Sequence, residues 1–219
     1  MVNKLNRIGT LLIVLTFAFV MTSCPDDNLP SGSTTTTPAA GDGWQGLTVT
    51  FNNVQVYEMD LTTPYSGTDY TLTKMDGELL SSYGLGNLEV ISGKLNGTLG
   101  TPTNLTSDMT NYLIGDGIYV SDTNVKMLGI PTLDTSDGIV YLTYVVTQAP
   151  TQYQAVFYIY ADRDVTISGG YIDGGVTYSY DMTFKQGWNT IIATESQSDL
   201  SVTYISGQPP SDAKWCINL

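Results

Sequence analysis

There is no histidine anywhere in the 219 residues. That absence removes Ser-His and Cys-His nucleophilic arrangements, histidine metal sites and histidine pH switching together. Cysteine is nearly missing too. Only Cys24 and Cys216 occur, so no disulfide framework supports the fold, hydrophobic burial has to, and a zinc site lacks its sulfur ligands. Basic residues are scarce: 8 Lys and Arg stand against 21 Asp and Glu, a net charge of −13. A surface this acidic repels nucleic-acid phosphates and anionic headgroups, which argues against both as partners, and it also keeps an exposed protein soluble. Beyond Gly46 no stretch sustains helical spacing.

The apolar stretch Ile8 to Met21 holds 14 residues, short of the roughly 20 that a spanning helix requires. Lys4 and Arg7 precede it, and Met21-Thr22-Ser23-Cys24 follows it, with two small side chains beside the cysteine. This segment resembles a bacterial lipoprotein signal, with Met21 where leucine is commonest. The resemblance implies a diacylglycerol on the Cys24 sulfur, cleavage just before it, and acylation of the new amino group. It also implies a cell-envelope address, expected at the outer membrane, reached through the N-terminal lipid. A plain secretory signal cut at Ser23 or Ala18 is the competing reading. Removing residues 1–23 takes away Lys4 and Arg7 but no acid, which leaves 6 basic against 21 acidic residues, a balance of −15. Cys216 is then a lone thiol, expected as a small buried apolar group.

Residues 24–46 read as the lipidated cysteine and a flexible tether. Asp26-Asp27, Ser31-Gly32-Ser33, Thr34 to Thr37 and Gly41-Asp42-Gly43 offer no apolar groups to bury. Residues 47–219 are then one domain. Its 173 residues suffice for a single core burying roughly 70% of the unfolded chain's surface.

Period-two alternation governs this domain. Leu47, Val49 and Phe51 alternate with threonines and Asn52, and Val54 and Val56 resume after Asn52-Asn53 with the parity changed. A two-residue hairpin turn or a bulge in one long strand restores the phase equally well. Val176, Tyr178, Tyr180, Met182 and Phe184 share one face against Thr177, Ser179, Asp181, Thr183 and Lys185. Leu200, Val202 and Tyr204 repeat the pattern. Ile139 to Val146 and Ala155 to Tyr160 are apolar on both faces and read as central strands. Turns are expected at Gly115-Asp116-Gly117, Gln148 to Thr151, Asp162-Arg163-Asp164, Asp173-Gly174-Gly175, Gln186-Gly187 and Gln208-Pro209-Pro210. Roughly a dozen short strands at this spacing predict an all-β fold. An antiparallel β-sandwich suits the mixture of one-faced and two-faced strands; a β-barrel is the alternative.

Three stretches of the C-terminal third resemble small acidic envelope lipoproteins of spirochaetes and Bacteroidota: Tyr160 to Gly169, Lys185-Gln186-Gly187-Trp188-Asn189, and Asp212-Ala213-Lys214-Trp215. The resemblance implies an envelope address and no activity.

Motifs with catalytic overtones fail on context. Gly41-Asp42-Gly43-Trp44-Gln45-Gly46 fits G-x-G-x-x-G but precedes a strand, and Ser211-Asp212-Ala213-Lys214 fits S-x-x-K without its companion motifs. An EF-hand begun at Asp162 puts Ile167 where glycine is required. Asp162 with Asp164, and Asp134 with Asp137, are possible members of a looser calcium cage, although turn aspartates are commoner. Glu58 and Glu89 illustrate a carboxylate pair for glycoside hydrolysis. The expectation is therefore a non-catalytic, lipid-anchored envelope protein for surface recognition, adhesion or a structural role, needing no cofactor and no metal. Its partners are the membrane through the lipid and a glycan or protein ligand. A carbohydrate- or small-ligand-binding module is the alternative, with Trp44 and Trp188 as ligand-binding candidates because both lie beside turns. A carboxylate-dependent hydrolase comes third.

Overall fold

The alternation of apolar and polar residues folds into strands throughout. A computed structural model describes residues 43–105, 117–149 and 151–219. The first half contributes β1 Trp44–Gly46, β2 Val49–Glu58, β3 Tyr70–Met75, β4 Glu78–Leu79, β5 Leu88–Ile91, β6 Lys94–Leu99, β7 Ile118–Val120 and β8 Met127–Ile130. The second half contributes β9 Leu133–Thr135, β10 Tyr141–Ala149, β11 Gln152–Ala161, β12 Val165–Asp173, β13 Val176–Phe184, β14 Gly187–Ser196, β15 Ser201–Ser206 and β16 Lys214–Asn218. One short 3-10 turn, Leu80–Tyr83, is the only helical element among the described residues.

The expected all-β fold is found, in the barrel form rather than the sandwich. Seven strands close a ring in the order β16-β2-β6-β5-β3-β9-β10, with β10 pairing back to β16. Six of the seven contacts are antiparallel, so chain direction reverses an even number of times around the ring and the seventh contact has to be parallel. That contact is β16 with β2, where Trp215 meets Val56 and Ile217 meets Glu58. Each ring strand sends a fully buried apolar side chain to one shared core: Val56, Leu95, Leu88, Leu72, Leu133, Leu142 and Ile217. Burying side chains of this size stabilises by roughly 1.5–3 kcal/mol each before conformational entropy is counted.

The sheet also runs on beyond the ring, because β10 has two partners along one edge. Its first residues, Tyr141 and Leu142, pair with β9, and from Tyr144 onward it pairs with β11. From that branch an outer wing extends in the order β11-β14-β15-β13-β12-β7. At the branch Trp215 stacks on Tyr144 at 5.0 Å and takes Phe51 edge-on at 5.6 Å. Tyr158 of β11 also meets Phe51 edge-on at 5.9 Å, tying wing to ring. Aromatic pairs in these geometries add roughly 0.5–1.5 kcal/mol each beyond their burial.

Three local features bear on the sequence reading. The phase change at Asn52-Asn53 is a bulge inside the single strand β2, with Asn53 at φ 54°, and not a hairpin turn. The turns expected at Asp162, Gly174, Gln186 and Pro209 separate consecutive strands as anticipated. The stretch assigned to the tether ends earlier than expected, because Trp44–Gly46 forms β1 against β14. Gly43 makes this docking feasible: its carbonyl accepts from Thr190 N at 2.8 Å, and a Cβ there would lie 2.5 Å from the Thr190 oxygen. Only glycine approaches that closely.

Candidate functional site

The residues singled out by sequence scatter across the fold. Cys24 lies outside the described residues. Trp188 sits in β14, a strand buried on both faces over its first seven residues, and it is 0% exposed. Its indole N–H donates to Gly100 O at 2.9 Å and its ring meets Tyr160 edge-on at 5.4 Å. Trp188 is thus a core residue with no face for a ligand, which corrects its place among the binding candidates. Proximity to a turn did not predict its direction, since the turn before it ends at Gln186 and both faces of β14 are covered. Trp44 is 46% exposed, and its indole N–H is held by Gln186 O at 3.0 Å, so one ring stands at the surface in a fixed pose.

The acidic candidates are structural braces. Asp162 accepts from Lys126 N at 2.9 Å and pairs with Arg163 at 3.1 Å, while Asp164 accepts from Gln186 N at 2.9 Å and pairs with Lys185 at 3.3 Å. Asp134 accepts from Gly77 N at 2.9 Å, and Asp137 accepts from Thr135 Oγ1 and Ile139 N. Among the described residues no group of three or more acids or cysteines is arranged to hold a metal. Glu89 sits opposite Asn96, which in turn binds Asn53 N, so Glu89 is level with Asn53. Glu58 is five residues further along β2, roughly 16 Å away along the strand, beyond the separation that paired glycosidase carboxylates use. Lys214 of the S-x-x-K match is committed to Leu61 O and lies 4.5 Å over the Tyr57 ring. Cys216 is buried and free, as expected, and burial pushes its thiol up to about 12.

A different set of side chains comes together on the wing. Cross-strand partners share a face, and the pairings Tyr153 with Glu195, Glu195 with Val202, Val202 with Tyr178, and Tyr178 with Tyr171 place these five in one row over five strands. The adjacent row on that face contains Ala193, Tyr204 and Tyr180. Four tyrosine rings stack in a ladder: Tyr204 on Tyr180 at 5.1 Å, Tyr180 on Tyr171 at 6.3 Å, and Tyr171 on Tyr178 at 4.9 Å, all within 16° of parallel. The ladder rises from the buried Tyr204 to the exposed Tyr171.

Burial first, then the charges of Tyr171, Asp173 and Glu195, raises the Tyr178 hydroxyl. Burial, a bond to Tyr171 and the charges of Tyr171 and Tyr178 do the same for Tyr180. Both stay neutral near pH 7. Burial also raises Glu195, whose side chain makes no hydrogen bond or ion pair with another side chain among the described residues. The Tyr204 hydroxyl is buried without a partner. Sequence alternation put Tyr178 and Tyr180 on the face of Met182 and Phe184; the strand continues from that buried end to a half-open one. Glu195 carried no local signal, because only the pairing of β14 with β15 brings it to the ladder.

This face has the attributes of a binding surface: rigid rings, low conformational entropy cost, and one half-buried carboxylate. Comparison of the chain with protein-family models, with curated proteins and with solved structures finds no match.

Proposed function

We propose that this protein is a lipid-anchored component of the bacterial cell envelope, held through Cys24, that works by recognition rather than catalysis. The tyrosine ladder Tyr171, Tyr178, Tyr180 and Tyr204 with Glu195 is its recognising surface. The observation that carries this reading is a stack of four rings grading from core to solvent beside the half-buried Glu195 carboxylate. A wing extending from a closed ring suits display, since the ring supplies stability and the ladder's face opens to solvent at its Tyr171 end. A glycan ligand is the second reading, and it now rests on the exposed ring of Trp44 alone.

The anchor and the surface are tested separately. Metabolic labelling with an alkyne fatty acid should tag the wild-type chain and not C24S; equal tagging of both overturns the anchor. Hydroxyl-radical footprinting of the chain on intact envelopes, against the chain in buffer, should protect Tyr171 and Tyr178. Unchanged labelling of both tyrosines overturns the recognition surface.

A further inference from the structure

Charge on the wing is divided between its two ends. The basic residues Lys126, Arg163 and Lys185 all lie at the turn end that holds Asp122, Asp162 and Asp164, where the pairs Arg163–Asp122, Arg163–Asp162 and Lys185–Asp164 neutralise one another. β12 runs nine residues from that end to Asp173, roughly 30 Å. At the far end stand Asp173, Glu195 and Asp199, with no Lys or Arg among the described residues of β12, β13, β14 or β15 to offset them.

Asp173 follows Tyr171 by two residues in β12 and so shares its face. Glu195 shares the row of Tyr171 three strand steps away through β15 and β13, roughly 14 Å across, and Asp173 stands two residues or about 7 Å further along β12, so the two positions are roughly 16 Å apart. Between the two carboxylates run Tyr178 and Tyr171, stacked at 4.9 Å, and both carboxylates act on the Tyr178 hydroxyl. Tyrosine ring faces attract cations, and carboxylates beside them add to the attraction. A half-buried Glu195 carboxylate with no cation beside it among the described residues is a cost to the isolated protein that an incoming positive group removes.

We infer that the far end of the wing binds a basic segment of a partner polypeptide, seating lysine or arginine side chains between Glu195 and Asp173 over the rings of Tyr178 and Tyr171. The span between the carboxylates matches about five extended residues, so two basic side chains about four to six apart reach both. This rests on the reading of the tyrosine ladder as the recognition surface and names the chemistry of what it recognises.

The test uses the full chain and a lysine-rich decapeptide, titrated at low ionic strength by calorimetry, with a glutamate-rich decapeptide and a neutral glucan oligosaccharide as comparison probes. The lysine peptide should bind and the glutamate peptide should not. E195Q, nearly isosteric, should weaken lysine-peptide binding by about tenfold, and Tyr171→Leu by roughly threefold to tenfold, as loss of a desolvated charge contact and of a cation–π contact require. E89Q removes the same charge from the exposed face of β5 and should stay within about twofold, since diffuse attraction alone is screened by salt. Equal weakening by E89Q and E195Q, or no binding of the lysine peptide, overturns the inference. Binding of the glucan oligosaccharide with loss on Tyr171→Leu, while the lysine peptide stays silent, overturns the cationic partner and leaves the recognition surface standing. Near-ultraviolet circular dichroism that matches wild type shows that each variant is folded.

Discussion

Truncating Trp188 separates a structural role from a binding one. The side chain is wholly enclosed, packs edge-on against Tyr160 and donates to Gly100 O at 2.9 Å. Trp188→Ala removes the ring, and large-to-small substitution at a site of this kind costs about 3–5 kcal/mol. Trp188→Phe keeps a ring but deletes the N–H, leaving the Gly100 carbonyl without this donor at a cost of about 1–2 kcal/mol. In a domain of this size each kcal/mol lowers Tm by roughly 2–4 °C, so the alanine variant should melt on the order of 10 °C lower and the phenylalanine variant a few degrees lower. Urea unfolding followed by far-ultraviolet circular dichroism gives the same quantities as a shift in midpoint at constant slope. Trp44→Ala, at a 46% exposed position with one indole hydrogen bond, should cost under about 1 kcal/mol. If Trp188→Ala unfolds within about 0.5 kcal/mol of wild type, as a surface substitution would, the assignment of Trp188 to the core is wrong.

Three further outcomes follow from individual groups. Asn189, 0% exposed, accepts from Lys185 N at 3.0 Å and donates to Lys185 O at 2.8 Å and Gly187 O at 2.9 Å, so Asn189→Ala opens the β13–β14 turn and should cost about 2–3 kcal/mol in urea unfolding. The Cys216 thiol, raised to about 12 by burial, should ignore a disulfide reagent at pH 8 in the folded protein and react at once in denaturant; rapid reaction in the fold would contradict its burial. Asp76 is raised to about 6 by partial burial of its carboxyl and by the charges of Asp134 and Glu78. A raised carboxylate binds its proton more tightly in the folded chain, so this group's contribution is fully present below about pH 4 and is lost as pH rises through about 6. Asp76→Asn should therefore stabilise at pH 7 by under about 1 kcal/mol, given solvent screening at an exposed turn, and should make no difference at pH 3.5.

Much of the wing was legible along the chain. β13 was visible as Val176 to Phe184 because one face of the strand is wet, and the turns at Asp162, Gly174 and Gln186 were visible because their residues favour turns. β10 and β11 showed as apolar on both faces because both faces are covered, consecutive residues such as Ala155 and Val156, or Tyr158 and Ile159, being buried alike. Ring closure was not legible. It depends on Trp215 meeting Val56 across a parallel seam, and alternation in either strand says nothing about a partner so far away in sequence. β1 was missed because glycine-rich composition signals a flexible segment, while at Gly43 the missing side chain is what permits docking. The tyrosines were visible but their stacking was not, since Tyr171 and Tyr204 join Tyr178 and Tyr180 only through the hydrogen-bond register.

The parallel seam between β2 and β16 also dictates an order of events. A strand starting at Val49 waits for one starting at Lys214, so the antiparallel hairpins form early while the cylinder stays unzipped until nearly the whole domain is available. Until then β2 and β10 each show a raw margin of unsatisfied amides, the kind of border on which neighbouring chains aggregate. A polypeptide clipped after Ser206 should keep its hairpins yet never seal, and should accumulate as sticky, protease-sensitive material.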